Sequence, residues 1–166
     1  MSLTIQELGS LGEFISSIVI LITLIYLSLQ VRQNTNAIHS QARAEIFRGA
    51  QEELWRNMEF PDVTINMIRS DHQMTLEEKV RLDAWLCASM RAREFAWLQY
   101  KSGSIDSLQW ESERGVILVI LSTERNRDWW RDIGRLGFNS TFVEFVSDLI
   151  NNEPDSQYIQ KIFDME

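Results

Sequence analysis

From Phe14 to Leu29 the chain reads FISSIVILITLIYLSL, with no charged residue and mostly large apolar side chains. No other feature constrains the fold as strongly. Eighteen to 22 helical residues, about the length available here, span roughly 27–33 Å, close to the ~30 Å hydrocarbon core of a bilayer. A buried helix of a soluble protein seldom needs apolarity all round over such a length. A secretory signal carries a positive segment ahead of its apolar run, and no Lys or Arg precedes this one. A retained transmembrane helix is therefore expected within residues 1–31, which makes membrane lipid the first partner.

The flanking charges orient it. All 16 Lys and Arg lie at Arg32 or beyond, and of the 24 acids only Glu7 and Glu13 come earlier. Arg32, Arg43 and Arg48 follow the run, so the positive-inside rule puts the C-terminal side in the cytoplasm and the N-terminus outside. The net charge of −8 and the acidic stretch Glu144–Glu166 argue against nucleic-acid binding, which needs clustered cations.

The acid at the edge of the run has two explanations. Ser10 and Glu13 have the spacing of a capping box, and the helix is expected to begin there, with Glu13 at head-group level. Thr4 and Glu7 offer an earlier start, which would carry Glu13 into the membrane.

A seven-residue pattern runs along the span. Gly9, Ser16, Thr23 and Gln30 recur at that interval, with Gly12, Glu13 and Asn34 close to the same stripe. Left-handed helix pairs use a seven-residue repeat, and small or polar residues let helices approach in lipid. The expected partner is a second copy of the chain, in a coiled-coil-like homo-oligomer.

Beyond the span, Ile38, Ala42, Ile46, Phe47, Ala50, Leu54 and Met58 keep helical spacing. Residues 32–60 are expected as a helical extension ended by Pro61. A helical bundle over 61–150 follows, then an acidic tail, 151–166, in which Tyr158, Ile159 and Phe163 dock weakly. Thr75 and Glu78 open one helix with a capping box, Leu82, Trp85, Leu86, Ser89 and Met90 form its apolar face, and Lys101 with Gly103 stop it. Asp106 or Ser107 opens a further helix containing GVILVILS, and RNRDWWRDIGRLGF and STFVEFVSDLI make two shorter ones parting near Gly137. The fold class is all-α: one transmembrane helix continuing into a long cytoplasmic helix, then a small bundle.

Two stretches carry a likeness. LITLIYLSLQVRQNTNAI resembles the N-terminal signature of a set of small bacterial proteins with an LIYLxxQxRQNT-type anchor and an all-helical body. RDWWRDIGRLGFNSTFVEFVSDLI resembles their C-terminal part. The resemblance implies topology, fold and a bacterial inner-membrane location. It implies no activity or substrate.

Catalytic signatures are missing. His39 and His72 stand apart, outside any metal-ligand spacing, so no metal is expected. No GxSxG, P-loop or GxGxxG occurs, and no cofactor or enzymatic activity is expected. The pairs Glu52–Glu53 and Glu77–Glu78 read as solvated faces. Cys87, the sole cysteine, reads as a small core residue. Arg127, Trp129, Trp130 and Arg131 have two expectations. Either they bind an aromatic or anionic ligand or touch the lipid interface, or one indole packs in the core while the charges pair locally.

The expected function is a single-pass homo-oligomer whose cytoplasmic domain is a scaffold or recruits a cytoplasmic protein. The alternative is a cation-conducting pore lined by Gly9, Glu13, Ser16, Thr23 and Gln30, with Glu13 as an acidic ring.

Overall fold

A computed structural model describes residues 4–69 and 73–152, and these are helical throughout, with no strand among them. In order come α1 (Ile5–Glu59), α2 (Pro61–Ile68), α3 (Leu76–Lys101), α4 (Ser107–Ile120), α5 (Glu124–Asp132), a short 3-10 helix (Gly134–Gly137) and α6 (Ser140–Asn152). Backbone contacts divide the chain into two units, meeting between Gln41 and Ala42. The boundary therefore falls inside the expected 32–60 extension. The reason is local: Ala42 and Ile46 are buried and belong to the core of the second unit.

The first unit is the helical segment up to Gln41. It is long and apolar enough to cross a membrane. Its large apolar side chains, from Ile5 through Val31 to Ile38, are exposed.

Its start corrects one expectation. The helix begins at Ile5, and the Leu8 amide donates to the Thr4 carbonyl at 3.1 Å. Ser10 is thus not the N-cap, and Glu13 lies in the third turn of an established helix. The sequence from Thr4 holds no Pro, and a single Gly costs a helix only about 1 kcal/mol, so nothing delays helix formation until Ser10.

The second unit is built around α3. The Thr75 capping box forms as expected, with both reciprocal hydrogen bonds to Glu78. Leu82, Trp85, Leu86, Ser89 and Met90 are all buried. At the far end Gly103 takes a positive φ of 75°. Its amide bonds to the Tyr100 carbonyl and the Ser104 amide to Gln99, closing the helix in the manner only a left-handed residue allows cheaply. Asp106 caps α4 through the Gln109 amide at 2.9 Å. Ile117, Ile120 and Leu121 of GVILVILS enter the core, as a central bundle helix requires.

Aromatic residues close the core on the α6 side. Phe142 is fully buried, with Trp97 at 6.0 Å and Trp130 at 6.2 Å between ring centroids. Buried Glu94 ties α3 to the entry of α6: one carboxylate oxygen accepts from the Asn139 amide at 2.6 Å and the other from Arg91 at 2.6 Å. The tail beyond Asn152, with Tyr158, Ile159 and Phe163, lies outside the described residues.

Candidate functional site

The stripe of the first unit is exposed along its length: Gly9, Gly12, Glu13, Ser16, Thr23, Gln30 and Asn34 all face outward on α1. Two of its polar groups donate within the helix. Thr23 donates its hydroxyl to the Val19 carbonyl at 2.8 Å, and Gln30 donates to the Tyr26 hydroxyl at 3.1 Å. Ser17, off the stripe, likewise donates to the Glu13 carbonyl at 2.8 Å. Such back-bonding is how hydroxyl side chains enter apolar surroundings without a water partner.

Within the second unit, α1 has three sides rather than two. With Phe47 set at 0° and about 100° per residue, Ala42, Ile46, Gly49, Glu53 and Asn57 fall between roughly −160° and −80°. These face the core or its edge. Glu45, Arg48, Glu52, Arg56 and Glu59 fall between roughly 100° and 180°, and Arg48 makes ion pairs there with Glu45 and Glu52. The remaining face, roughly −20° to 80°, carries the large apolar residues Phe47, Leu54, Trp55 and Met58, with Gln51 among them. The four apolar residues are 64–71% exposed. The expected apolar series therefore splits: Ala42 and Ile46 serve the core, while Phe47, Leu54 and Met58 point away from it.

A buried charge cluster lies on the core side. Arg93 of α3 is almost fully buried and forms an ion pair with Glu53 of α1. Its Nε stands 3.4 Å from a Glu113 oxygen of α4, within ion-pair range but without hydrogen-bond geometry. Burial pushes the Glu113 carboxyl above the ordinary carboxylate range; Arg93 opposes that shift and Glu53 adds to it. Glu53 is thus not part of a solvated face, whereas its neighbour Glu52 is. A pair of adjacent acids on a helix points about 100° apart, and only contact with another helix decides which of the two is covered.

The RDWWRD segment resolves into two different surroundings. Both indoles are buried. Trp129 donates its Nε1–H to Asp83 at 2.7 Å and, with Met74, Leu82 and Leu86, lines a largely apolar cavity of about 590 Å³ between α3 and α5. Trp130 packs on Phe138 and Phe142 and lines a second, polar cavity of about 260 Å³. That cavity also receives Arg127 and Arg131. Arg131 pairs locally with Asp128, and Arg127 donates Nε to the Leu121 carbonyl at 2.9 Å.

Cys87 is half-buried against the core, and burial raises its thiol pKa; Asp83 adds to the shift and Arg91 opposes it. That environment disfavours the thiolate. Among the described residues no three His, Cys, Asp or Glu side chains are grouped for a metal ion, and His72 lies outside those residues. Sequence reasoning passed over Arg93, Glu113 and Arg135. Only the neighbours supplied by other helices distinguish them from surface charges.

No protein-family model matches the chain. No curated protein and no solved structure matches it either.

Proposed function

We infer that the chain is a membrane-anchored homo-oligomeric scaffold. The first part of α1 is its single span, and the helical unit from Ala42 onward is a cytoplasmic interaction module. The observation that carries this reading is the third face of α1. Phe47, Leu54, Trp55 and Met58 are exposed on a helix that already has a core face and a charged face. Exposed large apolar side chains grouped on one helix face mark a contact with another chain. Copies inserted in one membrane share an orientation, so the same face of the same helix meets its counterpart most simply in a parallel pair. In sequence, Gln51 and Met58 continue the seven-residue register of Gly9, Ser16, Thr23 and Gln30.

The orientation rests on Arg32, Arg43 and Arg48 following the span, with a bacterial inner membrane as the implied setting. The scaffold is favoured over the pore because the single donor of the Thr23 hydroxyl is used within α1, on the Val19 carbonyl, rather than offered to a water column.

A single cysteine placed by Leu54→Cys in a Cys87→Ser background tests the assembly in membranes. Oxidation is expected to give a covalent dimer from Leu54→Cys and none from Glu52→Cys on the charged face. Equal crosslinking at both positions, or a strictly monomeric mass in mild detergent, would refute it.

A further inference from the structure

The apolar cavity between α3 and α5 has the size and lining of a small-molecule site. Its volume of about 590 Å³ is more than twice the 260 Å³ of the polar cavity beside Trp130. Organic ligands occupy cavities of ~300–1,000 Å³ that are mostly apolar and carry a few polar groups. Met74, Leu82, Leu86 and Trp129 line this one and are buried. Val80 and Ile133 line it too, yet are 60% and 58% exposed, so they mark its rim. Two large apolar side chains left in water beside an apolar recess gain from being covered.

The polar groups decide what covers them. Asp83 is half-buried, and its Oδ1 accepts from the Trp129 Nε1–H at 2.7 Å. Its other oxygen has no partner among the described residues, although Lys79 stands one helical turn before it. An ionised carboxylate accepts hydrogen bonds and cannot donate. The open oxygen therefore calls for a donor, and the bond to Trp129 holds the carboxylate ready for one. Arg125 does not supply it: its guanidinium donates to the Asn66 and Arg69 carbonyls at 3.0 and 2.6 Å. The described lining carries both signs of charge, Lys79 and Arg125 against Asp83. An ion entering so apolar a cavity sheds its water at a high cost, whereas a neutral ligand does not. The Trp129 indole in the wall offers a ring for aromatic packing.

We propose that this cavity binds a small, neutral, aromatic molecule that donates one hydrogen bond to Asp83, such as a phenol. Its described lining residues all belong to the unit from Ala42 onward, so the site stands independently of the membrane span and of the oligomer.

Calorimetric titration of the full-length protein in lipid nanodiscs at neutral pH tests it, with β-naphthol as the probe. Empty nanodiscs give the partition of the probe into lipid, which is subtracted. The methyl ether of β-naphthol has the same rings and no donor. Saturable binding of β-naphthol, about tenfold or more tighter than that of the ether, supports the site. Two variants locate it. Asp83→Asn keeps an oxygen for the Trp129 N–H and puts an amide N–H where the open oxygen stood, so it is expected to abolish the preference for β-naphthol over the ether. Val80→Trp sets a large ring at the rim and is expected to weaken both probes. Val80 is exposed, so that variant is expected to keep the parent thermal midpoint. No saturable binding of β-naphthol, equal binding of the two probes by the natural chain, or binding indifferent to either folded variant overturns the proposal. The comparison of the two probes on the natural chain needs no substitution and is decisive by itself.

Discussion

Gly134 lies hard against the indole of Trp129: a Cβ built on it would stand 2.7 Å from both Cη2 and Cζ3 of that ring. The ring is held in place by its N–H bond to Asp83, which a shift away from Gly134 would strain. Gly134→Ala is therefore expected to destabilise the helical unit by about 1–3 kcal/mol through overpacking. Gly115, in α4 with open space around it, is the opposite case. Gly115→Ala is expected to stabilise by about 0.5–1 kcal/mol, because alanine loses less backbone freedom on folding. Urea denaturation of the two variants checks both signs at once.

Removing Arg93 strands two acids. Glu53 and Glu113 lose their shared cation while remaining under cover. Breaking a buried pair in this way costs about 3–5 kcal/mol, so Arg93→Ala is expected to unfold the domain or sharply lower its melting point. Arg93→Ala combined with Glu53→Ala and Glu113→Ala should recover part of the loss, since no unpaired charge is then left inside.

Glu113 predicts an unusual pH response. Its carboxyl pKa is raised in the folded chain, mainly by burial. Between the ordinary value near 4.5 and the higher folded value, the folded state binds more protons than the unfolded state. Stability from this group therefore falls as pH rises through that window and is recovered on acidification. Below both values it contributes no further change. Glu113→Gln should flatten this component, leaving the ordinary acid destabilisation from other carboxylates. Thermal melts across pH 4–7 of the two proteins give the difference directly; a steeper slope in the variant would contradict the assignment.

Cys87 should alkylate slowly. Burial and the nearby Asp83 both raise its pKa, so its thiolate fraction at mildly alkaline pH lies below that of a free cysteine. In the folded protein its rate with iodoacetamide is expected to be lower than in denaturant, and to keep rising at pH values where a free thiol has levelled off. Mass spectrometry of timed samples reads this out.

The exposed face of α1 predicts a concentration effect. Leu54→Ser and Trp55→Ser remove apolar surface without touching the core, since both side chains point away from it. The domain's own stability should shift by less than about 0.5 kcal/mol, as for ordinary surface changes. Association of the full-length protein in detergent should weaken, measurable by sedimentation.

Much of the framework was legible because it depends on nearest neighbours along the chain. The Thr75–Glu78 box, the stop at Gly103, the Asp106 cap and the break at Pro61 each follow from backbone hydrogen bonds within one turn. The start of α1 was misplaced for a reason of the same kind. Two boxes of the same type lie six residues apart, and the pattern alone does not rank Thr4 against Ser10. Residues 42–58 were legible as a helix but not as a three-sided one. Periodicity reports that Ile46 and Phe47 both lie on a helix, whereas which of them is covered depends on where α3 and α4 pack.

The divide follows the range of the forces involved. Sequence by itself determined that the chain is helical, where most of its helices begin and end, and that one of them is long and apolar enough for a membrane. Those properties arise from local hydrogen bonding, backbone sterics and the summed hydrophobicity of adjacent residues. Tertiary structure decided that Arg93 is a buried cation between two acids, that Trp129 and Trp130 line different cavities, and that Arg135 joins Arg127 and Arg131. A charge is buried or solvated, and an arginine is surface or site, only through residues brought beside it from other helices, which no short stretch of sequence contains.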